Sequence, residues 1–346
     1  MSRKTALVIC PGRGTYNRDE LGYLAKHHAD KQAMLAEFDA LRQAQGQQTL
    51  SELDGAASYS AAHLTRGDNA SALIYGCAYA DFLSIDRNAF EIVAVTGNSM
   101  GWYIALACAG ALDANGGFKV TNTMGTLMQD ALIGGQTLYP YVDENWQEVP
   151  GKRAELLALA ERIPGLYISI HLGGMIVFAG DDTALKSCEH ALESVQDRFP
   201  MRLLNHAGFH TPLQRPVSVK GKGQLPIEIF RHMQLPLIDG RGHLWLPGAS
   251  NLAQLRDYTL GHQVVEVFDF STALRNSLRE FAPDAIIVLG PGQTLGGAVA
   301  QGLIANNWQG MRSKQDFIDQ QANDPFVLSM GMDKQRKIVT QGDSQT

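Results

Sequence analysis

Residues 91–112 read EIVAVTGNSMGWYIALACAGAL, and this stretch decides the fold. Glu91 to Thr96 is a short β-branched apolar run of the kind that makes a buried strand. Gly97-Asn98-Ser99-Met100-Gly101 follows, and an alanine-rich helix is predicted from there to about Leu112. Strand, sharp turn and helix in that order is the setting in which G-x-S-x-G presents a nucleophile. The glycines permit the turn, the turn lifts the serine oxygen out of the sheet, and the first N–H groups of the helix point at the same place. Ser99 is therefore the candidate nucleophile, its competing role being that of a helix cap.

Working outward, Ala6 to Cys10 reads as a second buried strand that opens into Pro11-Gly12-Arg13-Gly14. Ser71 to Leu83 is apolar enough for a buried helix, and a further helix is expected from about Phe118 to Ile133. Residues 134–204 change texture: a strand at Gln136 to Val142, a helix at Lys152 to Arg162, strands at Leu166 to His171 and Met175 to Ala179, a helix at Thr183 to Gln196, and a strand at Met201 to Leu204. The order βαββαβ fits a ferredoxin-like unit. After it the α/β texture returns, with a strand at Ala285 to Leu289 ending in Gly290-Pro291-Gly292. The expected organisation is a discontinuous α/β core of residues 1–133 and 205–332, an inserted unit at 134–204, and a mobile polar tail at 333–346.

Composition narrows the function. The 346 residues are 45% hydrophobic and 18% charged, a globular balance. Twenty-nine Lys and Arg stand against 35 Asp and Glu, so no basic field exists to hold nucleic acid. No apolar run reaches the roughly 18 residues of a membrane span, and the opening MSRKTALVIC breaks at Pro11-Gly12 too soon for a signal peptide, so a cytoplasmic protein without a membrane partner is expected. Cys10, Cys77, Cys108 and Cys188 have no paired spacing, so neither disulfides nor a metal site is expected. Gly290-Pro291-Gly292-Gln293-Thr294-Leu295-Gly296-Gly297 is discounted as a dinucleotide loop, because Pro fills the variable position and the acidic residue of that motif is missing. Lys220-Gly221-Lys222-Gly223 reads as a solvated basic loop.

A serine hydroxyl needs a base, and ten histidines are available. His210, in NHAGFHTPL (residues 205–213), follows the last strand of the insertion, where the chain re-enters the larger core. Position alone leaves His206 and His262 level with it.

Taken in order, these motifs resemble the malonyl-CoA:acyl-carrier-protein transacylase family: Pro-Gly-x-Gly after the first strand, G-x-S-x-G near residue 99, Met-Gln at 128–129, the βαββαβ insertion, His210 in F-H-T-P-L, and a late Gly-Pro-Gly. The segment ISIHLGGMIVFAG (168–180) also resembles the family's strand-turn-strand. The resemblance spans about residues 5–305. It implies an α/β-hydrolase-like core with a ferredoxin-like subdomain, a catalytic pair of Ser99 and His210 in the cleft between them, and an oxyanion hole from the N–H groups of Met100 and Arg13, the latter standing where the family has glutamine. It implies a histidine oriented by a main-chain carbonyl near the Gly-Pro-Gly turn. It further implies an acyl-CoA donor, an acyl-carrier protein as partner with its phosphopantetheine thiol as acceptor, no cofactor of the enzyme's own, and a place in fatty acid or polyketide biosynthesis.

The departures concern the substrate pocket. Malonyl-using members carry Arg at the start of R-G-x-x-M-Q, where its guanidinium forks onto the free carboxylate; this chain has Met124-Gly125-Thr126-Leu127-Met128-Gln129. A carboxylate facing Met124 loses about 2 to 5 kcal/mol. Asn98, Trp102 and His171 also replace the family's His, Glu and Asn. On Met124 alone, acyl groups without a carboxylate are expected to be preferred, and Arg13 is the one new cation able to oppose that. The expected activity is acyl transfer through an acyl-serine, the alternatives being a thioesterase or esterase with the same pair, or a non-catalytic recruitment subunit.

Overall fold

The structure, a computed structural model, describes residues 3–341. Its first sheet grows from the two buried runs. Strand β1 (Lys4–Cys10) pairs in parallel with β2 (Phe90–Gly97), and their apolar side chains leave almost no exposed surface, as a strand covered on both faces requires. The second sheet opens with β3 (Gly135–Pro140), β4 (Leu166–Leu172), β5 (Met175–Gly180) and β6 (Met201–Arg202). Later in the chain come β7 (Leu237–Ile238), β8 (Leu244–Trp245), β9 (Phe268–Asp269), β10 (Ala285–Val288) and β11 (Val327–Ser329). The first sheet has the order β11-β10-β1-β2-β7-β8, parallel throughout except at its β8 edge. The second has the order β6-β3-β5-β4-β9. Its first four strands pair antiparallel, and β9, from well beyond residue 204, adds in parallel to β4. The second sheet therefore draws one strand from outside the 134–204 segment.

Two helices pack on each other and on the helix that follows β2, and make the floor of the site. Gly67–Leu83 is apolar on all sides and buried along most of its length, so it sits inside the core rather than on it. Ala114–Ala131 crosses it where Gly125 faces Gly67 and Ser71; a Cβ at Gly125 would come within 2.6 Å of both.

Several local expectations are corrected. The helix after β2 is Gly101–Cys108 and stops short of Leu112, because Gly110 turns into left-handed backbone at φ 80°. The helix at Asp182–Ala191 ends before Gln196, where Gln196 and Asp197 both have positive φ. Lys220 to Gly223 is no loop: it is the last part of the helix Arg215–Gln224, and Gly221 lies against the Met124 thioether. The tail is also ordered as far as it is described. Asp333–Gln341 is a helix whose buried Arg336 reaches Asp81 at 2.6 Å and the Met330 carbonyl at 2.8 Å. One buried arginine ties this segment down; residues 342–346 lie outside the described part.

Candidate active site

The loops after β1 and β2 leave the carboxyl ends of adjacent parallel strands, so Arg13 and Ser99 come together. Close packing explains the glycines. A Cβ on Gly97 would sit 2.4 Å from the Gly101 backbone, and one on Gly101 would sit 2.3 Å from the Cys10 carbonyl oxygen. The helix start is thereby pressed onto the strand ends, and Ser99 is left at the apex with φ 56°. The N–H groups of Met100 and Arg13 donate to no acceptor among the described residues.

Ser99 Oγ lies 2.7 Å from Nε2 of His210. The other ring nitrogen, Nδ1, lies 2.6 Å from the main-chain carbonyl of Gln263, which fixes the ring and leaves Nε2 as the acceptor toward serine. This corrects the orienting carbonyl, which comes from the helical turn at 263–265 and not from the Gly-Pro-Gly loop. Gln263 ties the site together further: its Nε2 donates to the Ser99 carbonyl at 3.1 Å, and its Oε1 accepts from Tyr103 Oη at 2.8 Å. Burial lowers the His210 pKa to about 4, partly offset by the Gln263 carbonyl, with His262 nearby lowering it further. The imidazole is neutral at pH 7, as a base must be.

The other candidate histidines have other work. His206 Nδ1 lies 2.7 Å from Gln136 Oε1; Gln136 donates to Ser169 Oγ, and Ser169 donates to the Phe209 carbonyl. The second sheet thus reaches the site by holding the chain next to His210. His262 stacks on Tyr258 at 5.6 Å. His171 lies on β4 with Nδ1 unpartnered, and Gly290 donates to Asp81 beneath the late Gly-Pro-Gly loop.

A small cavity, open at its mouth, adjoins the pair. Besides Ser99, Met100, His210 and Gln263 it is lined by Arg13, Ser71, Tyr103, Gly125, Met128 and Phe209. None of these comes from residues 134–204. Three pocket residues expected from sequence do not reach it either. Met124 is fully buried with its sulfur toward Gly221. Trp102 is fully buried, edge-on to Tyr258, with its indole N–H on Thr259 Oγ1 at 3.0 Å. Asn98 packs on Gly12. Gln263, Phe209 and Ser71 were not expected at the pocket: Gln263 orients the histidine through a carbonyl that every residue possesses, Phe209 drew notice only as the neighbour of His210 in F-H-T-P-L, and Ser71 carries no motif. Among the described residues no group of three His, Cys, Asp or Glu side chains is placed to hold a metal.

Sequence comparison with protein-family models and with curated proteins returns no match. Solved structures do match, and they define the fold class: it is that of the malonyl-CoA:acyl-carrier-protein transacylases. The Synechocystis transacylase aligns over 96% of this chain and 99% of its own, with a TM-score of 0.75 and 16% identity. The enzyme from Xanthomonas oryzae aligns over 97% of both chains at 0.74 and 17%. A malonyl-transacylase solved in complex with its type II PKS acyl-carrier protein aligns over 97% of this chain and 99% of its own at 0.73 and 15%.

Proposed function

We propose that this protein is an acyltransferase that carries an acyl group on Ser99 from a thioester donor to the phosphopantetheine thiol of an acyl-carrier protein. The single observation that carries the reading is the Ser99, His210 and Gln263 chain of contacts at 2.7 and 2.6 Å, set in the transacylase fold. Ser99 Oγ attacks the thioester carbonyl as its proton passes to His210 Nε2, and the free N–H groups of Met100 and Arg13 receive the developing oxyanion. The C–S bond breaks, the leaving thiol takes that proton, and acyl-Ser99 remains. The acceptor thiol then gives its proton to His210 and attacks the ester carbonyl; the C–O bond to Ser99 breaks, and His210 returns the proton to Ser99 Oγ. The exchange is redox-neutral, so the reading needs no cofactor beyond the pantetheine brought by donor and acceptor. The carrier-protein partner is supported by the similar transacylase solved with its own, and the acyl-CoA donor by the likeness to transacylases that take malonyl-CoA.

The test is intact mass after incubation with a panel of acyl-CoAs, followed by addition of holo carrier protein. An acyl adduct that is absent in Ser99→Ala and moves to the carrier supports the reading. Loss of the adduct to water at the same rate with and without carrier identifies a hydrolase, and no adduct at all leaves a recruitment subunit.

A further inference from the structure

The Arg13 side chain is the feature that the reaction does not use; its part in that chemistry is confined to the main-chain N–H. Its guanidinium stands over the Phe209 ring at 5.2 Å, and Nη2 donates to the carbonyls of Thr65 and Asn205 at 2.8 and 2.9 Å. Nε is buried without an acceptor, and Nη1 donates to nothing among the described residues. No carboxylate among them forms an ion pair with it; Asp68, the acidic group that acts on it through space, is paired with Arg66 at 3.0 Å. Burial lowers its pKa to about 10, which leaves it charged at pH 7. A cation taken partly out of water ordinarily has a counter-ion, and this partly buried one lines the Ser99 cavity without one. Ser71, in the same cavity, has a hydroxyl with no partner among the described residues.

We infer that the substrate brings the missing anion: Arg13 determines specificity by holding a carboxylate at the far end of the acyl group on Ser99. This rests on the acyl-serine reading above and names its substrate class. The phosphate of a pantetheine arm is a poorer fit, because with its sulfur at Ser99 the whole arm separates the phosphate from this small cavity. The inference reverses the expectation drawn from Met124. The position expected to face the carboxylate is walled off behind Gly221, and the available cation comes from the loop after β1. Two carbonyls and a phenyl ring already order the side chain, so holding an anion costs little further entropy.

The experiment compares Ser99 acylation rates for malonyl-, acetyl- and butyryl-CoA by intact mass, in the wild type, Arg13→Gln and Arg13→Lys. The readout is the malonyl-to-acetyl ratio within each protein, so any loss common to both substrates cancels. The wild type is expected to favour malonyl, Arg13→Gln to lower the ratio about 30-fold or more, and Arg13→Lys to keep its sign. Faster labelling of the wild type by acetyl or butyryl overturns the inference, as does an unchanged ratio in a folded Arg13→Gln. If Arg13→Gln does not fold, a ratio below one in Arg13→Lys overturns it. Absence of label from all three substrates removes the acyl-serine reading itself, an outcome distinct from a wrong preference.

Discussion

At the serine end of the cavity the polar atoms are matched: Ser99 to His210, His210 to Gln263, and Gln263 to Tyr103 and the Ser99 carbonyl. At the acyl end the wall is Met128, Phe209 and Gly125, with an arginine and a serine hydroxyl that find incomplete partners or none. One end is closed upon itself and the other leaves polar groups with bonds unmade. The difference teaches where chemistry and selectivity reside. The Ser99 and His210 side chains are oriented by a strand-to-helix turn and a main-chain carbonyl, whereas the other end of the cavity is shaped by side chains.

That contrast is open to breakage, most severely at the base. His210→Ala is expected to slow Ser99 acylation by about 10² to 10⁴ while His206→Ala costs less than about tenfold, measured as adduct formation against time. The reverse order places the base at His206. Because the His210 pKa lies near 4, the wild-type rate should be flat from about pH 5 to neutrality and fall as pH drops through 4. The same depression binds the proton more tightly in the unfolded chain, so this group's contribution to stability is present above about pH 6.5 and lost on acidification toward 4. Short acid pulses followed by assay at neutral pH separate the two effects.

Gln263→Ala sharpens the contrast. It keeps the carbonyl that orients His210 and removes the side-chain ties to Ser99 and Tyr103, so a loss of about tenfold in acylation is expected, with the acyl preference unchanged. A changed preference would mean that the two ends are coupled. Met124→Arg probes the other side. Restoring the family's residue should not restore its function, because the side chain is buried against Gly221; the expected result is a loss of stability of about 2 to 4 kcal/mol in urea titration, with no gain in malonyl preference. A stable Met124→Arg protein that gains that preference contradicts the walled-off position. The smallest effect belongs to Trp102→Phe, which removes the bond to Thr259 for about 1 kcal/mol and should leave acylation within about threefold, since Trp102 does not touch the cavity.

The sequence was most legible where a glycine pattern marks backbone geometry. Gly97, Gly101 and Gly12 mark close approaches between strand ends and helix, and the Ser99 elbow could be read from them. The buried runs of β1, β2 and β10 were equally plain. Direction of a side chain was not legible. Met124 and Trp102 occupy positions expected at the pocket, yet each turns into the core, because a contact across helices depends on a neighbour far along the chain, Gly221 for one and Thr259 for the other. Nor does polarity reveal order: DKQRKIVTQ looks like a tail, and its helix is held by Arg336 meeting Asp81, a pair separated by 255 residues.

Both reacting residues carry a backbone conformation that suits glycine, Ser99 and His210 each at φ 56°. A residue held there costs about 1 to 3 kcal/mol against an unstrained one. Glycine would relieve that strain at both positions, although at His210 it would also empty a buried site against Phe268 and the Gln263 carbonyl. On the acyl-serine reading proposed above, this fold trades some of its resistance to unfolding for a serine and a histidine held face to face.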